Sequence, residues 1–193
     1  ARYIEGRNDL VLLINNAGFG TRGNFTEVEL ASQLDMIRVH VIASVTFCRA
    51  ALPGMIARGS GAIINVSSVA AFFPSGGGAT YTATKAYLNN FSEALAAEVD
   101  GTGVRVQALC PGFTYSEFHD TAEYTGFDRK QVPDVLWMPA DQVVAESLAE
   151  LTESRVIVVP GRQYRGIMLA INSPLRGQIR DLARAIRRRL HRI

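Results

Sequence analysis

Four short apolar runs stand out along the chain, each bounded by turn-forming residues. Residues 10–14 (Leu-Val-Leu-Leu-Ile), 61–67 (Gly-Ala-Ile-Ile-Asn-Val-Ser), 104–110 (Val-Arg-Val-Gln-Ala-Leu-Cys) and 156–159 (Val-Ile-Val-Val) have strand length. The first of them is continuously apolar, the pattern of a strand buried on both faces of a parallel sheet. Longer segments lie between the runs. Thr26-Glu27-Val28-Glu29 reads as a capping box opening a helix to about Arg58, with Pro53 bending it near its end. A second helix carries Tyr81 and Lys85 and lasts to about Thr102, and a third runs from Pro139 to about Glu153. Residues 1–8 read as the tail of a helix and a turn, and the segment from Gly161 as one or two helices broken at Ser173-Pro174. Strands alternating with helices predict an α/β chain with a mainly parallel sheet. No repeat or linker divides the 193 residues, so one domain is expected.

Composition narrows the class. A hydrophobic fraction of 48%, a charged fraction of 20% and a net charge of +2 describe an ordinary globular chain and do not mark a nucleic-acid binder. The apolar runs are far shorter than the ~20 residues that span a bilayer, and the N-terminus has no signal-peptide pattern. Cys48 and Cys110 sit among apolar neighbours, which points to buried thiols and a reducing compartment, the cytoplasm. His40, His119 and His191 stand alone, so no metal site is expected. Only two of the twenty basic residues are lysines, Lys85 and Lys130.

The stretch from Ser67-Ser68 to Tyr81-Thr82-Ala83-Thr84-Lys85 carries the chemistry. On a helix, Tyr81 and Lys85 lie one above the other on one face. A nearby ammonium favours the phenolate and would move a group of pKa about 10 toward working pH, as a general acid/base requires. Ser68 follows an apolar run, so its hydroxyl sits at a strand end where it can reach a substrate oxygen. Gly18, Gly20 and Gly23 spell Gly-x-Gly-x-x-Gly. They are not read as a dinucleotide fingerprint, because Gly23 is still in the loop before the capped helix and no acidic residue ends the next strand. They read instead as a loop lining a cleft.

Asn15-Asn16-Ala17-Gly18, Ser68, Tyr81, Lys85 and Pro111-Gly112, in this order and spacing, resemble the single-domain branch of the short-chain dehydrogenase/reductase family. The resemblance runs from Leu10 to about Val159. It implies an α/β, Rossmann-like doubly wound parallel sheet and an NAD(P)-dependent oxidoreductase that interconverts a carbonyl and a secondary alcohol. Tyr81 would move the proton. Lys85 would lower the pKa of Tyr81 and hold the nicotinamide ribose, and Ser68 would hydrogen-bond the substrate oxygen. Asn15, Ala17 and Gly18 would line the adenosine side of NAD or NADP; Pro111, Gly112 and Ser116 would lie beside the nicotinamide.

Two departures from the family pattern matter. Where the family has an asparagine held in a distorted part of the long helix and passing protons from the lysine, this chain has His40. A histidine can relay protons and titrates near neutrality; a partly buried structural histidine explains it equally well. The family's N-terminal βαβ unit, with its pyrophosphate-binding turn, has no counterpart, so the domain reads as N-terminally truncated and the strand at 10–14 as exposing an edge. Residues 113–138 resemble the family's lid. Their aromatic content suggests an apolar substrate or the lid's own packing. The arginine-rich segment at about 174–192 reads as a basic amphipathic helix, either solvated or packed on a subunit, with weak membrane-surface contact as the other reading. The resemblance also implies a homodimer or homotetramer through the two long helices. A non-catalytic, oligomerising or membrane-surface module is the alternative function.

Overall fold

The computed structural model describes residues 1–74, 76–121, 124, 127–153 and 155–171. They fall into two compact units, Ala1–Pro160 and Gly161–Ile193. Of the second unit, one helix is described, α5 (Arg162–Ile171). The basic helix expected at 174–192 lies outside the described residues.

The first unit is built on a parallel sheet. Its strands are β1 (Leu12–Asn15), β2 (Gly61–Val66), β3 (Val104–Leu109) and β6 (Ile157–Val158), in the order β1-β2-β3-β6. A minor parallel pair, β4 (Thr114–Tyr115) and β5 (Met138–Pro139), ties together the two ends of the expected lid. The helices are α1 (Leu30–Ile37), α2 (Ala43–Arg58), α3 (Ala79–Glu98) and α4 (Ala140–Thr152).

Strand alternation puts helices on both faces. Ile63, Val104 and Val106 point to one side, where they form the core with Cys48, Ala51 and Met55 of α2 and Leu95 of α3. The neighbouring Gln107 points the other way and donates to the Ser147 carbonyl of α4 at 3.0 Å. This is the doubly wound α/β arrangement that the resemblance implied, built on the parallel sheet that the run pattern predicted. Both cysteines are buried free thiols.

β1 differs from the expectation of a strand buried on both faces. Leu13 packs on the core, but Val11 is 69% and Ile14 51% exposed. Among the described residues β1 pairs only with β2, so it forms the sheet edge.

The long helix also begins later than the capping box at Thr26 suggested. The Glu27 carboxylate reaches back to Asn24, accepting from its backbone N–H at 3.1 Å and its side-chain amide at 2.9 Å. That closes a separate turn, and α1 starts at Leu30. Between α1 and α2 the chain widens into a π-helical turn, Arg38–Ile42. The continuous stretch Leu30–Arg58 has the length and composition of a membrane-crossing helix, which the short apolar runs did not suggest. Cys48, Ala51 and Met55 on its inner face are spent on the sheet core.

One glycine is needed for close approach. Gly103 has φ +81°, and a Cβ there would lie 2.0 Å from the Gly59 carbonyl oxygen, so only glycine lets the turns before β2 and β3 touch.

Candidate active site

The carboxyl ends of β1, β2 and β3 open onto the crevice where doubly wound sheets bind ligands. After β2 the two serines diverge. Ser67 is buried and donates to the Lys85 carbonyl at 2.8 Å. The Ser68 hydroxyl accepts from the Ala70 N–H at 3.1 Å, starting the turn Val69–Phe72, and donates to the Pro111 carbonyl at 3.4 Å. It also lies close enough to the Tyr81 phenol to draw that group's pKa downward.

Tyr81 and Lys85 lie on the first turns of α3. The Lys85 ammonium is 5.7 Å from the Tyr81 ring centre and donates to the Val66 carbonyl at 2.7 Å. Lys85 is 4% exposed, and burial draws its pKa from 10.5 down to about 8. Burial also pushes the Tyr81 phenol above its ordinary value, against the opposing pull of Ser68. This corrects one expectation. In this geometry the Tyr81 phenol sits above its ordinary value rather than below it, because desolvation of the phenolate outweighs the pull of Ser68.

His40 lies in the π-helical turn and is 1% exposed. Its Nε2 accepts from the Phe19 N–H at 3.2 Å, and its Nδ1 faces the Thr84 hydroxyl at 2.8 Å. Burial, aided by the Lys85 charge, lowers its pKa to about 3. The reading of His40 as a group titrating near neutrality is therefore corrected: it is neutral throughout that range. Its ring meets Tyr81 edge-on, centres 5.9 Å apart.

Ala17 and Gly18 are exposed at the crevice. The Asn15 side chain is not. It donates to Asn65 at 2.8 Å and lies against Cys48, bracing β1 on β2 rather than facing a ligand. Asn65 donates onward to Ser92 at 2.9 Å, linking the sheet to α3. Ser116 is likewise set apart: its hydroxyl accepts the Phe118 N–H at 3.4 Å and caps a short lid turn. Pro111 and Gly112 are half-buried beside Ser68.

The lid folds back on itself. His119 stacks on Phe127, centres 4.8 Å apart, and contacts Phe113, Phe118, Tyr124 and Trp137. Two residues leave this cluster to meet the crevice. The Phe118 ring lies 6.1 Å from that of Tyr81, and a Cβ on Gly20 would stand 2.5 Å from the Tyr124 hydroxyl. Two open cavities, of about 480 and 440 Å³, lie elsewhere, one beside the N-terminal turn and α2 and one along the start of α3.

Thus Ser68, Tyr81, Lys85, His40, Gly18 and Pro111 meet in one place, whereas the side chains of Asn15 and Ser116 turn away. The sequence reading missed Phe19, Thr84 and Tyr124. Thr84 carried a local signal, one helical turn after Tyr81; the other two contact the site only through loops. No group of three His, Cys, Asp or Glu among the described residues could hold a metal.

Residues 2–125 match the family model for short chain dehydrogenase. The chain belongs to the short-chain dehydrogenase family. It is 37% identical over 141 residues to sulfoacetaldehyde reductase 2 of Chromohalobacter salexigens, covering 72% of this chain and 55% of that protein. Among solved structures, it resembles a short-chain dehydrogenase from Sphingobium yanoikuyae in complex with NADPH (TM-score 0.76, 27% identity, 95% of this chain and 66% of that one). A short chain dehydrogenase from Burkholderia cenocepacia in complex with NADP is also similar (TM-score 0.78, 25% identity, 94% and 72%). The chain spans about half the length of the curated relatives it matches.

Proposed function

We propose that this short-chain dehydrogenase is an NAD(P)-dependent oxidoreductase that interconverts a carbonyl and a secondary alcohol, with Tyr81 as the acid/base. The observation that carries the reading is the convergence of Ser68, Tyr81 and Lys85 at the carboxyl ends of β2 and β3. The donor set suits a nicotinamide ribose. Lys85 is a buried ammonium with three N–H donors, of which one is spent on Val66 among the described residues. Lys85 and Tyr81 would hold the ribose hydroxyls, and the exposed Ala17-Gly18 main chain and Pro111-Gly112 would flank the cofactor. When bound, the nicotinamide supplies or takes up the hydride.

The chain's own part is proton transfer and orientation. In the reducing direction the Tyr81 hydroxyl donates its proton to the substrate oxygen while the Ser68 hydroxyl hydrogen-bonds the same atom. A phenol whose pKa is raised by burial is held protonated at neutral pH, the form that donates a proton to a carbonyl oxygen. The Lys85 charge beside it stabilises the phenolate left behind. For the substrate, packing accounts for Phe113, Phe127 and Trp137, which stack around His119. Phe118 faces Tyr81, and it supports an apolar carbonyl compound. The test is reduction of a panel of aliphatic and aromatic aldehydes and ketones, followed by loss of reduced nicotinamide with NADH and NADPH separately. Turnover of apolar members is expected with one of the two dinucleotides. Absence of both binding and turnover with either would overturn the reading and favour a non-catalytic module.

Self-association belongs to the same proposal. Leu30, Leu34 and Ile37 form a stripe on α1, continued by Ile42 in the π turn and Ile56 of α2, and all are exposed. They present an apolar face suited to a second copy of this chain, and Tyr87 of α3 is exposed as well. Light scattering should give at least twice the single-chain mass, and Leu34→Glu should shift it toward one copy. A single-chain mass at micromolar concentration would refute the assignment.

A further inference from the structure

The position of His40 is explained neither by a proton path nor by simple packing. Its hydrogen bonds have fixed directions. The Phe19 N–H can only donate, so Nε2 must be the unprotonated acceptor. The Thr84 hydroxyl spends its own proton on the Tyr81 carbonyl at 2.9 Å, so it must accept from Nδ1–H. The result is one continuous chain of donors, from Phe19 through His40 and Thr84 to the backbone of Tyr81. It joins the loop after β1 to the first turns of α3.

Gly18 fits this scheme. A Cβ there would stand 2.7 Å from His40 Nε2 and 3.6 Å from the Lys85 ammonium, so the loop can sit down on the imidazole only if residue 18 is glycine. The π-helical turn supplies the extra residue that carries the His40 ring inward. From α3 the titratable groups facing the ring are Tyr81 and Lys85; from the loop it meets the Phe19 ring and a backbone N–H. No carboxylate is among these partners, and a proton on Nε2 would break the bond to Phe19 and set a second cation near Lys85.

We infer that His40 is a positioning residue, a neutral clamp that locks the Ala17-Gly18-Phe19 loop to the helix turn bearing Tyr81, and that it carries no proton in the reaction. The inference deepens the proposed function and rests on it for its effect on turnover, but the clamp itself is a property of the fold. Both ring nitrogens stay engaged through catalysis, and the ring keeps the Nδ1–H tautomer across the neutral range. A relay would instead need a nitrogen that exchanges donor and acceptor roles.

The test uses His40→Ala and His40→Asn in the whole protein. Amide hydrogen exchange at Phe19, measured without dinucleotide, reads the clamp directly. In His40→Ala this amide should exchange about tenfold faster or more, as expected for loss of one ordinary hydrogen bond. In His40→Asn it should stay within about threefold of the parent, because the amide can accept from Phe19 and donate to Thr84. Where His40→Ala does not fold, Thr84→Val removes the far anchor and should raise Phe19 exchange in the same sense. In steady state, His40→Asn should retain most of kcat, and the pH profile of kcat should keep the same ionisations. Unchanged Phe19 exchange in the alanine or valine variant would overturn the clamp. Loss of a neutral-range ionisation from the kcat profile of His40→Asn would overturn the claim that no proton passes. A protein with no dinucleotide-dependent activity, yet with clamped Phe19 exchange, would refute the proposed function and leave the clamp standing.

Discussion

Replacing Tyr81 with phenylalanine is expected to lower kcat by about 10²–10⁴-fold, the range that a positioned general acid or base contributes. The reason lies in what the substitution leaves intact. The ring keeps its edge-on contact with His40 and its contact with Phe118, while α3 and the Lys85–Val66 hydrogen bond stay in place. Only the hydroxyl beside Ser68 is lost, and with it the proton delivered to the substrate oxygen. The cost to stability should not exceed about 1 kcal/mol, the net worth of one hydrogen bond. The affinity for the dinucleotide should fall only by the one ribose hydrogen bond that the Tyr81 hydroxyl would make, about 1 kcal/mol. Steady-state kinetics, a thermal melt and a dinucleotide titration separate these effects. Retention of more than a tenth of kcat in a folded variant would remove Tyr81 from the chemistry.

Lys85→Met should move activity and stability in opposite directions. Lys85 is nearly fully buried with one hydrogen-bond acceptor among the described residues, the Val66 carbonyl, and burial lowers its pKa to about 8. The unfolded chain therefore binds this proton more tightly than the folded one. Between pH 8 and 10.5 the unfolded state holds more protons, so the parent protein gains stability as pH rises through that window. Below pH 8 the charged lysine costs the fold its full penalty, about 3 kcal/mol. Methionine fills similar space without that penalty and forfeits one hydrogen bond, about 1 kcal/mol. The variant should thus be more stable than the parent by about 2 kcal/mol at pH 7, and the advantage should vanish near pH 10.5. The raised pKa of Tyr81 works in the other sense, since stability falls as pH rises past the ordinary tyrosine value, but it is common to both proteins and drops out of the difference. Turnover should be largely lost, because the ammonium beside the developing phenolate is gone. Urea unfolding of both proteins at the two pH values is the check. Equal stability at pH 7, or a difference that persists at pH 10.5, would show that Lys85 is not held as an unfavourable buried charge.

This strain explains how a lysine persists in a core that otherwise excludes charge. Among the described buried residues Lys85 is the one that carries a charge, since the buried His40 is neutral. A buried, desolvated ammonium acts strongly on charge that develops next to it, because little water screens the interaction. Stability is given up at the site where the proposed chemistry gains from it.

Periodicity and spacing were enough for part of this protein. The apolar runs at 61–67 and 104–110 marked two central strands, and their alternation with helices marked a parallel sheet. The strand-end position of Ser68 and the i, i+4 relation of Tyr81 and Lys85 are local features, set by backbone geometry within a few residues. The rejection of Gly18, Gly20 and Gly23 as a phosphate-binding turn also followed from local order. What each glycine does instead was not local: Gly18 makes room for His40, and Gly20 for Tyr124 of the lid. The side chain of Asn15 is committed by Asn65, fifty positions along the chain. His40 offered two readings because its ionisation depends on burial, on Lys85 and on an N–H from a loop twenty-one residues away. A sequence determines which face a residue shares with its near neighbours, because helix and strand periods are properties of the local backbone. Which distant groups meet on that face, and hence which of them keep their protons, is decided only when the packed fold removes water and sets their partners.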